Sequence, residues 1–181
     1  MQKFQLILIL ILTFNCSQNQ TDKRILEFEK ILGQKETKTL NLLVADFEKN
    51  LKKVYPDLTT EKAYRKYMTE FVSKPTTDLE KFKFLSDKEY SEFSQSELWK
   101  EVYKYDSSFD SRKVIQRNMI GRYMQALYSI KDSDSLIDEY FDKQEGAGMM
   151  QRELLVNGVL SFKPDFNDYF HKRIVVLEFS F

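Results

Sequence analysis

Apolar residues recur along most of the chain at steps of three and four, the spacing that places them on one face of an α-helix. Ile25, Leu26, Phe28 and Ile31 make the first stripe, with Asp22 placed to cap its start and Gly33 to end it after Leu32. Leu40, Leu43, Val44, Phe47, Leu51 and Val54 make a clearer second stripe, stopped by Pro56. A third begins near Thr59 and carries Ala63, Tyr64, Tyr67, Met68 and Phe71 ahead of Pro75. Capping boxes, a serine or threonine three residues before a glutamate, follow at Thr77 with Glu80, Ser86 with Glu89 and Ser94 with Glu97. They predict short helices joined by tight corners, the last of them carrying Leu98, Trp99, Val102 and Tyr103.

The stretch from Asp106 to Ser111 is the most polar and reads as an exposed loop. From Arg112 the spacing of Ile115, Met119, Tyr123, Met124 and Leu127 predicts a long helix ending near Lys131. Leu136, Ile137, Tyr140 and Phe141 share a face on the next, before Gly146 and Gly148 interrupt the pattern and Met149 to Leu160 resumes it. The last segment reads two ways. Phe166, Phe170, Ile174, Leu177 and Phe181 form a helical stripe starting at Pro164 and Asp165, whereas Ile174 to Leu177 is rich in β-branched residues and could be a strand. Helix is preferred. The expected fold class is all-α: a compact domain over 22–181 with about six to eight helices and no internal repeat or linker that divides it.

Composition agrees with that pattern. Glycine and proline number only five and three, while charged residues make up 31% of the chain and aromatic residues 14%. This suits helices with solvated charged faces around an aromatic core better than a turn-rich β-sandwich. Basic and acidic residues are equal at 28 each, so no basic stripe points to nucleic acid and no polybasic run points to an anionic membrane surface. A single cysteine excludes an intrachain disulfide.

The amino-terminal end follows a different rule. Lys3 is followed by an unbroken Leu/Ile run from Leu6 to Leu12, and the apolar stretch ends abruptly at Asn15. A basic start, an apolar middle of about ten residues and a polar exit make a secretory signal, too short to span a bilayer. The exit reads Thr13-Phe14-Asn15-Cys16, followed by Ser17-Gln18-Asn19-Gln20. This resembles the lipobox of bacterial lipoprotein signal peptides, although Thr13 and Asn15 stand where that motif usually has a leucine and a small residue. The resemblance covers only the first seventeen or so residues. It implies a signal peptide over 1–15, cleavage before Cys16, diacylglycerol and palmitate on that cysteine, and a tether over 16–21. Removing Lys3 with the signal leaves one net negative charge, since no other charged residue precedes Cys16. Two or more acyl chains anchor stably, at about 0.8 kcal/mol per buried methylene. Ser17 stands where familiar lipoprotein sorting reads aspartate as inner-membrane retention, which favours the outer membrane, periplasmic face.

The remaining chemistry is sparse. One cysteine and one histidine cannot build the usual zinc sites. Gly146-Ala147-Gly148 lacks the third glycine of a dinucleotide loop, having Gln151 there, and no phosphate-binding loop is present. Lys131 to Ser135 is similar to the start of a calcium loop, but Ile137 replaces the required glycine and Lys143 the closing glutamate, so capping of the next helix is expected instead. His171 is the sole candidate for a serine–histidine–acid triad, and Asp165 with Asp168 the candidate carboxylate pair. A plainer role for both aspartates is the first turn of a helix. Tyr64, Tyr67, Tyr103, Tyr105, Tyr123 and Tyr128 could line a recognition surface or pack into the core with their hydroxyls outward.

These readings converge on a lipid-anchored, non-catalytic envelope protein, a binding or adaptor module for a protein partner or else an apolar or peptidoglycan ligand, with no cofactor, metal or nucleic acid expected. A hydrolase using Asp165, Asp168 and His171 is the competing expectation, and a toxin-neutralising lipoprotein a third.

Overall fold

One glycine turns the first two helices into each other. Helix α1 (Lys23–Leu32) starts where the Asp22 carboxylate accepts a hydrogen bond from the Arg24 N–H, and ends at Gly33. Gly33 has φ of 100° and ψ of 149°, and α2 (Gln34–Val54) begins at the next residue. A β-carbon at Gly33 would lie 2.6 Å from Glu36 Oε2, the movable end of a side chain, so it is the positive φ that requires glycine. These observations come from a computed structural model that describes residues 22–72, 79–106, 114–147 and 152–181. The expected signal peptide, Cys16 and the tether to Thr21 lie outside the described residues, as do Thr77, Pro75 and Gly148.

Along α2 the predicted stripe is buried at Leu40, Leu43, Val44, Phe47 and Leu51. Helix α3 (Thr60–Tyr67) is capped by the Thr59 hydroxyl, buries Ala63, Tyr64 and Tyr67, and continues as a π-helical turn over Met68–Val72. A 3₁₀ turn (Leu79–Phe82) leads to α4 (Asp87–Ser94), where Ser86 and Glu89 form the complete capping box. Helix α5 (Glu97–Val102) corrects one expectation. Its cap is Ser96, whose hydroxyl accepts from the Trp99 N–H, while the Ser94 hydroxyl bonds back to the Ser91 carbonyl within α4.

The largest departure follows α5. Instead of a long helix from Arg112, the chain forms an antiparallel pair, β1 (Tyr103–Asp106) and β2 (Val114–Arg117), with Tyr103 opposite Arg117 and Tyr105 opposite Ile115. Tyrosine, valine and isoleucine favour a pleated surface. Arg117 fixes the choice from a distance, since its guanidinium donates to the Leu177 carbonyl at 3.2 Å. Only after Gly121 does α6 (Arg122–Tyr128) begin. Gly121 itself has no capping side chain; the Arg122 N–H donates to Glu101 Oε2 at 2.7 Å across from α5.

A 3₁₀ turn (Lys131–Ser133) precedes α7 (Ser135–Ala147), which runs through Gly146 rather than breaking there. Helices α8 (Arg152–Ser161) and α9 (Tyr169–Phe179) complete the domain. Helix α9 resolves the ambiguity of the last segment, and it starts at an Asp168 cap rather than at Pro164 and Asp165, where the first turn was expected. Its strand-like composition has a simple cause. Phe170, Ile174, Val175, Val176, Leu177 and Phe179 are all buried, so nearly every side of α9 faces protein. A helix apolar all round belongs inside a core. At about 1.5–3 kcal/mol per buried side chain, α9 contributes on the order of 10 kcal/mol of gross apolar burial.

Around α9 the aromatic residues meet edge to face. Phe28 of α1 touches Tyr123, Tyr169 and Phe170, and Phe181 lies 4.9 Å from Phe93 between ring centroids. The fold is all-α, with nine α-helices among the described residues, several of two turns or fewer, and one hairpin. No helix among the described residues is long and apolar enough to cross a membrane.

Candidate functional site

Three helix caps meet at one arginine. Asp22, Asp134 and Asp168 each cap the start of a helix, α1, α7 and α9 respectively. The Arg24 guanidinium reaches all three: Asp22 at 2.6 Å, Asp134 at 3.3 Å and Asp168 at 3.4 Å. His171 completes the cluster. Its Nε2 lies 3.1 Å from Asp134 Oδ2, and its Nδ1 lies 3.2 Å from the Asp165 carbonyl oxygen.

The electrostatics follow from these contacts. Burial alone would lower the His171 pKa, but the hydrogen bond and charge of Asp134 outweigh it and raise the value above that of free histidine. Burial of Asp134 works toward raising its pKa. Hydrogen bonds from His171 and from the Ile137 and Leu136 N–H groups prevail, and its pKa falls below the ordinary carboxylate value. Both shifts hold the pair charged. Nδ1 meets the Asp165 backbone, 3.0 Å from its N–H nitrogen and 3.2 Å from its carbonyl oxygen, and Nε2 meets Asp134, so both ring nitrogens already have protein partners.

This cluster contains the candidate catalytic residues and gives them structural employment. Asp168 accepts from the Phe170 and His171 N–H groups, and Asp165 accepts from the Asn167 backbone and side chain. Asp134, Asp168 and His171 could offer oxygen and nitrogen ligands to a metal, their ligating atoms lying within 4.8 Å of one another. Arg24 already supplies the cation that the two carboxylates share. The segment similar to a calcium loop is likewise committed: Asp134 caps α7, while Lys131 Nζ pairs with Asp132 at 3.2 Å and Asp138 at 3.1 Å.

Of the six tyrosines singled out by sequence, Tyr64, Tyr67, Tyr103 and Tyr123 are buried. The hydroxyls of Tyr67 and Tyr103 donate to the carbonyls of Phe179 and Leu177 at 2.8 and 2.6 Å. Tyr105 and Tyr128 remain exposed. The six therefore do not form one recognition surface.

A second arginine behaves differently. An open groove of about 370 Å³ lies along α1 and α2, lined by Glu29, Gln34, Thr37, Lys38, Asn41 and Leu42. One of these lining residues, Asn41, accepts a hydrogen bond from Arg173 of α9, which is only 5% exposed. The Arg173 guanidinium stacks 3.1 Å from the Tyr169 ring centre, donates to the Tyr169 carbonyl at 2.6 Å, and donates to the Asn41 side-chain oxygen. The Tyr169 hydroxyl in turn donates to Glu29 Oε1 at 2.7 Å, tying α9 to the groove a second time.

Among the described residues Arg173 makes no ion pair, and its Nε and the Thr37 hydroxyl are buried without hydrogen-bond partners. Burial lowers the Arg173 pKa from its ordinary value, outweighing the opposing pull of Tyr169, Tyr123 and Glu29. Arg117 provides the contrast. It is equally enclosed, yet Glu178 stands 2.5 Å away, and that attraction overcomes burial and raises its pKa. Sequence reasoning passed over Arg173; the available clue was an arginine beside the otherwise apolar run Ile174 to Leu177.

Comparison with protein families, curated proteins and solved structures gives no match for this chain. A functional reading therefore rests on its own residues.

Proposed function

We propose that this chain is a non-catalytic binding module of the bacterial cell envelope, tethered by lipid on Cys16, with the α1–α2 groove as its ligand site. The observation that carries the reading is Arg173: a buried arginine that makes no direct ion pair among the described residues is bonded to Asn41 of an open groove. Buried charges are ordinarily paired, and an unpaired one costs stability. A perturbed titratable group beside a cleft is a candidate for a functional site. The Asp165, Asp168 and His171 set, by comparison, is occupied with capping.

Two measurements test the reading at its two ends. Full-length protein expressed in a Gram-negative host should fractionate with membranes, carrying an acylated Cys16 as its first residue. Cys16→Ser should be released or remain uncut. Wild-type protein that is soluble, or that retains residues 1–15, refutes the anchor. For binding, in-cell cross-linking of the tagged full-length protein should capture an envelope component, and Cys16→Ser should lose it.

A protein partner is a second reading, favoured by the outward apolar face of the hairpin. Tyr105 and its cross-strand neighbour Ile115 are both exposed, and Ile120 follows at 83% exposure. Tyr105→Ser with Ile115→Ser should abolish the cross-link if that face is the interface and leave it intact otherwise.

A further inference from the structure

The lining of the α1–α2 groove leaves a specific set of donors and charges unused. Lys38 makes no ion pair among the described residues and stands exposed on the groove wall. Asn41 gives its Oδ1 to Arg173, and its Nδ2 makes no hydrogen bond among the described residues. The Thr37 hydroxyl is unpartnered, while Leu42, 57% exposed, offers the groove its apolar contact. Against these stands one acid, Glu29, already engaged by the Tyr169 hydroxyl. Lys38 and Arg173 therefore outnumber Glu29 by one positive charge.

Resting on the reading of this groove as the ligand site, we infer that it binds a small organic carboxylate. Lys38 and Asn41 would hold the carboxylate above Arg173, and Leu42 would carry the ligand's hydrocarbon part. A single negative charge balances the site. The Glu29 carboxylate in the same lining repels a second charge, which disfavours phosphate. A carboxylate is also planar, like the Asn41 amide group that Arg173 already holds, and can stand in for that neutral acceptor. The groove volume falls in the range of small-molecule sites.

Full-length protein in detergent micelles, labelled with ¹⁵N, supplies the test. Three probes would be titrated at constant ionic strength: sodium 4-methylpentanoate, its neutral analogue 4-methylpentanamide, and inorganic phosphate. The carboxylate should shift the Asn41 side-chain amide and the Thr37 and Lys38 backbone signals saturably. Neither 4-methylpentanamide nor phosphate should do so. Lys38→Gln, on an exposed position, should weaken the carboxylate about tenfold, the effect of losing one charge-assisted contact. Arg173→Met should remove the response while leaving the remaining spectrum folded.

Equal saturation by carboxylate and amide would overturn the charge requirement while leaving the groove a ligand site. Stronger binding of phosphate would overturn the choice of anion in the same way. Shifts that survive Lys38→Gln and Arg173→Met unchanged would overturn the site. No saturation by any probe overturns this inference, and the tethered-module reading is then decided separately by fractionation and cross-linking.

Discussion

His171 couples the charge of one side chain to the entry of α9. Its pKa is raised in the folded protein, so its contribution is fully present below the unfolded value near 6.5 and is lost as pH rises through the folded value. Asp134, whose pKa is lowered, contributes above its unfolded value near 3.8 and loses that contribution as pH falls through the folded one. The latch is strongest between those limits. The melting temperature should therefore fall as the pH rises above about 6.5, and His171→Gln should flatten that slope; an unchanged slope in the variant would remove His171 as its source. The neighbouring aspartates should separate by role. Asp168→Ala removes the cap of α9 and should cost about 1–2 kcal/mol in chemical denaturation. Asp165→Ala, on an exposed residue that bonds only its near neighbours, should cost less than about 0.5 kcal/mol. Equal costs would speak against Asp168 as the structural member of the pair.

Corners and caps decide where each helix begins and ends, and they differ in how far their causes lie along the chain. The Gly33 backbone occupies a region that other residues rarely enter, so Gly33→Ala should destabilise by about 1–3 kcal/mol, measured by urea unfolding. Loss of that little stability, or none, would show that α1 and α2 can join by another route. This corner was readable in the sequence because its cause is local: Asp22, Thr59 and Ser86 are caps that act within three residues. The hairpin was not readable, because its determinants are remote. Glu101 supplies the α6 cap from 21 residues away, and Arg117 is held by Leu177 and Glu178 some 60 residues on. Helix α9 imitated a strand because enclosure on nearly every side removes the polar face that marks a surface helix. The site was half visible for the same reason. His171 stood out as the only histidine, but Asp134 and Arg24 reach it through the fold, and Arg173 gains meaning only from the groove whose Asn41 it bonds.

Across the molecule, the Arg117–Glu178 pair fastens the hairpin to α9 in a setting almost closed to solvent. Tyr140 donates to the same carboxylate, and burial together with that negative charge holds its own pKa far above the usual value. Breaking the pair by Arg117→Met strands a buried carboxylate and should cost about 3–5 kcal/mol. Combining it with Glu178→Met should recover most of that loss, a non-additivity that equilibrium unfolding of the two single variants and the double would measure. Additive losses would mean that the two charges act independently. Helix α9 follows its partners on α1, α2 and the hairpin in the chain, so they are synthesised long before it. Until residues 169–181 emerge, those partners have no centre to close around, and their contacts with α9 span most of the chain. Completion of this core is thereby postponed until α9 has been made.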